Sequence, residues 1–426
     1  MQTAPKKVIT GWRMYDWANS AYSLIITSAI FPAYYTFIAP EKVNFIGRTF
    51  DRSSLASYSI SFSFLIIAIL SPILSSIADY KGNKKAFMQF FCYLGSAACI
   101  GLTFLTKENI SFGIVCSILG SIGFCGSIVF YNAYLPEIAA PEDQDKISAK
   151  GFATGYVGSV ILMIICLAAI MLNDKLNWGW GAWPTRLSFL AVGLWWAGFA
   201  QITFRNLPPS RASQQRPEKS IFVNGFYELK KVWKQLNDFP VTKRFLRSFF
   251  FYNMGVQTVM YLATYFASQE LKMETSQLII TVLIIQLVAI GGALLFSAIS
   301  KRIGNIYTLC IIILIWICIC IAAYFIHTIT QFYALAFSVG MVMGGIQSLS
   351  RSTYSKLLPP TKDTASYFSF YDVCDKVGTV LGTLSFGYIS EFFGGMRNSI
   401  LALMIFFIVG GILLLFVNPK KNSAIE

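Results

Sequence analysis

The chain has 426 residues, of which 55% are hydrophobic and only 13% charged, with a formal net charge of +14. A soluble protein of this length is built with roughly a quarter of its residues charged, so the composition excludes an ordinary soluble enzyme or binding module. The positive residues lie in short segments that alternate with apolar runs, which excludes a nucleic-acid surface and indicates a polytopic membrane protein.

The start, MQTAPKKVITGWRMYDWAN, is basic but lacks a small-residue cleavage site and runs into a full span, so no cleaved signal peptide is expected. Twelve spans are predicted, at 16–38, 54–78, 86–106, 110–134, 148–172, 185–204, 245–269, 275–299, 306–327, 331–352, 364–390 and 397–417. Runs such as YSLIITSAIFPAYYTFI and TLCIIILIWICICIAAYFI meet the roughly 20-residue requirement for crossing hydrocarbon as a helix. Placing the N-terminus inside puts 25 of the 34 Lys and Arg residues on the cytoplasmic side, so both termini are expected to be cytoplasmic.

Polar residues interrupt the spans in chain order. Span one carries Asp16, Asn19 and Ser23 at three- and four-residue spacing, with Tyr22 beside them. Asp16 could instead sit at the helix N-terminus, where capping and the dipole favour an acid. Asn132 lies in span four, and Gly151, Gly155 and Gly158 in span five permit close helix approach. The connection 205–244 opens with RNLPPSRASQQRPEKS, a linker-like stretch. Beyond it, Phe222, Phe226, Leu229, Trp233 and Leu236 share one helical face, away from Lys219, Lys230, Lys231 and Lys234. That pattern predicts a basic amphipathic helix on the inner leaflet, or one docking a soluble partner.

Span seven answers span one with Tyr252, Asn253 and Gln257; spans eight and ten add Gln286, Gln347 and Arg351. Span eleven, containing FYDVCDKVGTVLG, holds Asp372, Asp375 and Lys376. Each ionisable group at such depth costs roughly 2.5–3.5 kcal/mol unless it pairs or faces water. Asp372 and Lys376, four apart, are placed to pair, which leaves Asp375 as the uncompensated charge. The triad is either a structural ion pair or the lining of a central cavity that takes a substrate ammonium, a proton or a cation. Its counterparts in the first half, Phe152, Gly155 and Tyr156, carry no charge.

Those counterparts follow from an internal repeat. SSIADYKG (75–82) aligns with SAISKRIG (297–304) at an offset of 222, Leu135-Pro136 recurs as Leu358-Pro359, and VGSV (157–160) recurs as VGTV (377–380). Three matches in order at nearly constant spacing predict two six-helix halves in parallel repeat, 1–204 and 245–426, joined by the cytoplasmic linker 205–244.

The loop SSIADYKGNKK resembles the signature loop of the major facilitator superfamily, with Asp79, Gly82 and Lys84 in place, although Ser75, Tyr80 and Asn83 depart from it. YDWANSAY, YNAYLPEIA, GFATGYVG, GGIQSLSRS and FYDVCDKVGTVLG narrow the resemblance to the vacuole-effluxer branch, along essentially the whole chain. That branch implies an all-α fold of twelve transmembrane helices. Its fungal members are linked to amino-acid release from the vacuole; the compact loops here look more like its bacterial members, in an inner membrane. The resemblance also implies that Asp79 latches onto the N-terminus of span eleven, in a loop that Gly82 and Lys84 share; these three and Arg351 are the candidate gating residues.

The expected function is secondary active transport of a small polar metabolite, an amino acid or related zwitterion, by alternating access in the lipid bilayer, as a monomer and without a cofactor. Candidate substrate and coupling-ion residues are Asp16, Asn19, Tyr22, Asn132, Asn253, Gln257, Gln347, Asp372, Asp375 and Lys376, with protons as the candidate coupling ion. Sugars, peptides and nucleosides are alternative substrates. A membrane-embedded enzyme acting on a lipid-linked or prenyl substrate is the competing class, since Asp372-x-x-Asp375 faintly resembles a diphosphate-binding motif. It would need a second acidic motif and a metal not opposed by a lysine. A channel is disfavoured because no repeated filter segment is visible. The nine cysteines fall within apolar runs without C-x-x-C spacing and read as small buried hydrophobes, with no zinc or disulfide framework.

Overall fold

The computed structural model describes residues 2–176, 179–210, 234–392 and 396–418, together with Tyr227 and Lys230. Twelve long helices are found among these residues: α1 (Lys6–Ile38), α2 (Arg52–Lys81), α3 (Lys84–Leu102), α4 (Ile110–Ala133), α5 (Pro141–Leu176), α6 (Trp183–Asn206), α7 (Pro240–Glu270), α8 (Thr275–Ile303), α9 (Asn305–Phe325), α10 (Ile329–Lys356), α11 (Thr364–Phe392) and α12 (Met396–Leu415). Ten are long and apolar enough to cross a membrane; α7 and α11, which carry Asn253, Gln257 and the Asp372–Asp375–Lys376 triad, fall short of that test. Large apolar side chains such as Leu194, Leu314, Leu384 and Ile405 are exposed around the bundle, as contact with lipid allows.

Local chemistry sets the helix ends. Glu274 with Gln277, and Thr328 with Gln331, form capping boxes at the starts of α8 and α10. Gly82 closes α2 in the left-handed region, φ 65°, a conformation that suits glycine. α1 begins ten residues before the span that hydropathy predicts, which places Asp16 well inside the helix rather than at its N-terminus. Its middle, Tyr22–Ala29, is a π-helical segment. The loop after α1 holds a small hairpin, Lys42–Phe45 against Arg48–Asp51, an addition to the all-α expectation.

Of the linker helix, Lys230, Lys234 and Leu236 are described: the two lysines are exposed and Leu236 is buried. Lys219, Phe222, Phe226, Leu229, Lys231 and Trp233 lie outside the described residues.

Helix pairing follows the repeat. α1 packs on α5 within the first half and α7 on α11 within the second. Glycines make both contacts close: a side chain at Gly155 or Gly158 would collide with Ser20 or Trp17 on α1, and one at Gly382 with Thr258 and Met254 on α7. These glycines therefore lock each half internally, and do not line the surface between halves. The halves meet through α2 on α11, its repeat counterpart α5 on α8, and α5 on α10.

One end of the bundle, here the tail face, gathers residues 3–5, the turns after α2 and α4, and the turn before α11: Ala4 donates to the Ile138 carbonyl, and Lys84 reaches Thr364. The far face gathers the hairpin and the ends of α3, α6, α7 and α12, where Arg397 pairs with Glu270 at 3.0 Å and Arg186 bonds the Thr103 carbonyl.

Candidate functional site

Between the halves lies a cavity of about 260 Å³ lined by α1, α4 and α5 from one half and α7, α8, α10 and α11 from the other. Asp16, Asn19, Asn132, Asn253, Gln257, Gln347, Asp372, Asp375 and Lys376 all line it, as do Arg351 and Gln286. The sequence brings these polar residues to the inside because a polar group turned to hydrocarbon is costly and helical spacing puts them on one face of each span.

Tyr22 is the exception among the candidates. Its ring stacks on Phe124 at 5.2 Å, and its hydroxyl donates to Ser121 at 3.2 Å and faces a separate cavity of about 130 Å³ on the far-face side. Ser23, which shares the three- and four-residue spacing of Asp16 and Asn19, lines the central cavity, whereas Tyr22, grouped with them only by adjacency, lies off that face.

On one wall, Arg351 of α10 crosses to the first half. Its guanidinium donates to Ser148 Oγ at 2.9 Å, the Ser148 carbonyl at 3.0 Å, Asn132 at 3.3 Å and Asp16 at 3.4 Å. The Tyr131 hydroxyl donates to the same Asp16 oxygen at 2.6 Å. Trp12, Tyr131 and Phe152 surround the cation, with Phe152 nearest at 4.2 Å. A side chain at Gly151 would collide with the Asp16 carboxylate, so this glycine admits the pair. Arg351 thus lies in the cavity wall and braces the halves together. Tyr156 adds a second crossing bond, 2.7 Å to Gln347.

On the opposite wall the triad is arranged differently from the sequence expectation. Lys376 lies 2.6 Å from Asp375, its immediate neighbour, and 3.5 Å from Asp372. Asn253 and Gln257 of α7 donate to the other Asp375 oxygen at 2.6 and 2.9 Å. Asp375 is the saturated acid. Asp372, 5% exposed, keeps one oxygen, Oδ2, without a hydrogen-bond partner, and is the charge left over. Helical spacing alone cannot foresee this, because the donors that settle the question come from α7.

The tail face is closed by two polar clusters. Asp79 accepts from the backbone amides of Ala365 and Ser366 at 3.2 and 2.8 Å, at the N-terminus of α11, and from the Ser366 hydroxyl at 2.8 Å. Lys84 sits 3.0 Å from Asp79, donates to Thr364 at 2.7 Å and pairs with Glu137. The loop geometry thus matches what the resemblance implies for Asp79, with Gly82 turning the chain between them. The second cluster was missed by sequence reading: Asp145 of α5 meets Lys356 at 2.6 Å, Asn305 at 2.7 Å and Ser300 at 3.3 Å. The signal available was the repeat itself, since the turn after α8 aligns with the Asp79 loop but has Lys301 where the acid would be, and its acid comes from α5.

The prenyl-substrate reading fails on this geometry. The Asp375 carboxylate is occupied by Lys376, Asn253 and Gln257, so Asp372-x-x-Asp375 presents no paired carboxylates to a metal.

Two six-helix halves in parallel repeat around a polar central cavity define a major facilitator superfamily membrane transporter. The E. coli fucose:proton symporter FucP, solved in the outward conformation, has this fold at a TM-score of 0.70 and 13% identity, covering 97% of this chain and 98% of that one. The proton:xylose symporter XylE matches at a TM-score of 0.67. The model of the vacuole effluxer Atg22-like family matches residues 4–424, and the chain belongs to that family. The MFS-type transporter YxiO of Bacillus subtilis is 33% identical over 97% of this chain and 95% of its own length. Autophagy-related protein 22-1 of Penicillium rubens is 25% identical over 90% of this chain and 78% of its own. YxiO is named a transporter and the family an effluxer, in keeping with a membrane transporter rather than an enzyme.

Proposed function

We propose that this protein is a secondary active transporter of a small amino acid or related zwitterion, working by alternating access as a monomer, with both termini cytoplasmic. The observation that carries the reading is the polar cavity between two halves that are bonded to each other on one face. Hydrogen bonds between the halves gather from the tail face up to the cavity wall, where Asp79, Lys84, Glu137, Asp145, Ser148, Tyr156, Asn132 and Asp16 are first-half partners. With cytoplasmic termini this is the outward-facing state, in keeping with the conformation of the FucP structure it resembles.

A cavity of about 260 Å³ suits a solute of amino-acid size. The amides of Asn19, Gln286 and Gln347 supply hydrogen-bonding edges, and the α11 triad supplies charge. Alternating access then requires the Asp16–Arg351 brace and both tail-face clusters to break as the halves rock.

Purified protein in proteoliposomes loaded with labelled leucine, lysine or fucose tests the reading. The expected result is saturable counterflow of an amino acid, with none of the sugar. Counterflow of fucose alone would sink the amino-acid assignment while leaving the transporter class intact.

A further inference from the structure

The cavity wall holds three carboxylates, Asp16, Asp372 and Asp375, against two cations, Arg351 and Lys376. It therefore carries one net negative charge. Partner occupancy locates that charge. Asp16 is held by Arg351 and Tyr131, and Asp375 by Lys376, Asn253 and Gln257. Asp372 faces the same cavity, with Oδ2 buried and unpartnered.

The groups around Asp372 offer no further cation. On its own helix are Lys376, which it shares with Asp375 (3.5 Å to Asp372 Oδ1 against 2.6 Å to Asp375), and the Cys374 thiol. From α4 comes the Cys125 thiol, which interacts electrostatically with all three charges of the triad. From α7 comes the Tyr261 hydroxyl. α2 presents Phe64, 5.3 Å from the Lys376 ammonium, while its charged residues Arg52, Asp79 and Lys81 lie near its two ends. Arg397 of α12 is taken by Glu270 at the far face.

When the halves rock, the cavity passes through a form closed at both faces, and a carboxylate in excess of the wall's cations is then strongly disfavoured without water. A proton or a bound ammonium group can neutralise it, and both require the same oxygen. Two cations that need one atom exclude each other.

We propose that Asp372 is an exchange site at which a proton and the ammonium group of the substrate bind alternately, so that the protein is a proton/amine antiporter. This rests on the transporter reading above and names its coupling. In each cycle the carboxylate releases its proton to water on one side as the ammonium forms its charged hydrogen bond to Oδ2; on the other side the ammonium leaves and a proton from water takes its place. Two further buried atoms without partners line the cavity: Asn19 Nδ2 in the first half and Gln286 Oε1 in the second. They supply a donor for the substrate's carboxylate or carbonyl and an acceptor for a second ammonium hydrogen, and so span both halves.

Infrared titration of the reconstituted protein reads the protonated-carboxyl band without any transport. On acidification the wild type should gain a band that Asp372→Asn lacks and Asp372→Glu retains. At a pH where the band is present, leucine or leucinamide, which keeps the ammonium but not the carboxylate, should remove it. In liposomes an acidic interior should drive leucine accumulation, and Asp372→Asn should cut that accumulation about tenfold or more, the effect of losing a charge-assisted hydrogen bond, with Tm unchanged and partial rescue by Asp372→Glu. An unaltered band in Asp372→Asn, no displacement by either probe, or accumulation driven instead by an acidic exterior overturns the proposal. Displacement of the band without any flux upholds the shared site and overturns the transport reading alone.

Discussion

Two of the cavity's ion pairs, Asp16–Arg351 and Asp375–Lys376, differ in what they join. The first runs between α1 and α10 and so crosses the interface that must open. The second lies between neighbours on α11, with its extra donors on α7 of the same half. A pair that spans a moving interface acts as a brace, and its energy appears as a bias between conformations. A pair that travels within one rigid half contributes equally to every conformation. Conformational bias and ligand chemistry are therefore handled by different walls of one cavity.

Separating the two pairs by mutation is the sharpest test of that contrast. Arg351→Met leaves Asp16 buried with only the Tyr131 hydroxyl, at a cost of roughly 3–5 kcal/mol that falls on the tail-closed form. Spin labels at Lys81 and Lys301, both exposed on the tail face, should report a shift to longer distances. Lys376→Met should lower thermal stability by a similar amount while leaving that distance distribution unchanged. If both variants open the tail face alike, the division of labour is wrong.

Asp79→Asn comes next. It removes an anion from the N-terminus of α11 and one of the two carboxylate partners of buried Lys84, so the tail-closed state should lose about 1–2 kcal/mol, read in the same distance measurement. Asp145→Asn should act in the same direction by about 1 kcal/mol or less, because the Lys356 side chain is 24% exposed and solvent screens its pair. The smallest effect belongs to Tyr22→Phe. Losing the bond to Ser121 costs about 0.5–1.5 kcal/mol of stability and should leave counterflow unchanged, since Tyr22 faces a different cavity.

How much of this was legible follows from the kind of signal each feature leaves. All twelve spans are read from apolar length, although α7 and α11 carry enough polar residues to fall short of the hydropathy test that the other ten meet. Nine of the ten candidate cavity residues line the cavity because a polar residue in a span has few places to go. Tyr22 misled because it is grouped with Asp16, Asn19 and Ser23 by adjacency, off the helical face that those three share. Asp145 went unnoticed because it is an ordinary acid in a tail-face turn until Lys356 and Asn305, more than 150 residues away, are brought against it.

The sequence by itself determined the class of the protein, the membrane-crossing elements, the two-fold repeat and which polar residues must turn inward, because each is a matter of transfer energy along a local segment. Only the tertiary structure decided how the charges divide. Spacing alone pairs Asp372 with Lys376 four residues on and leaves Asp375 over. Asn253 and Gln257, delivered by α7, saturate Asp375 and leave Asp372 with an open oxygen. Charge partnership depends on distances between helices, and those are set by packing, which local spacing does not contain.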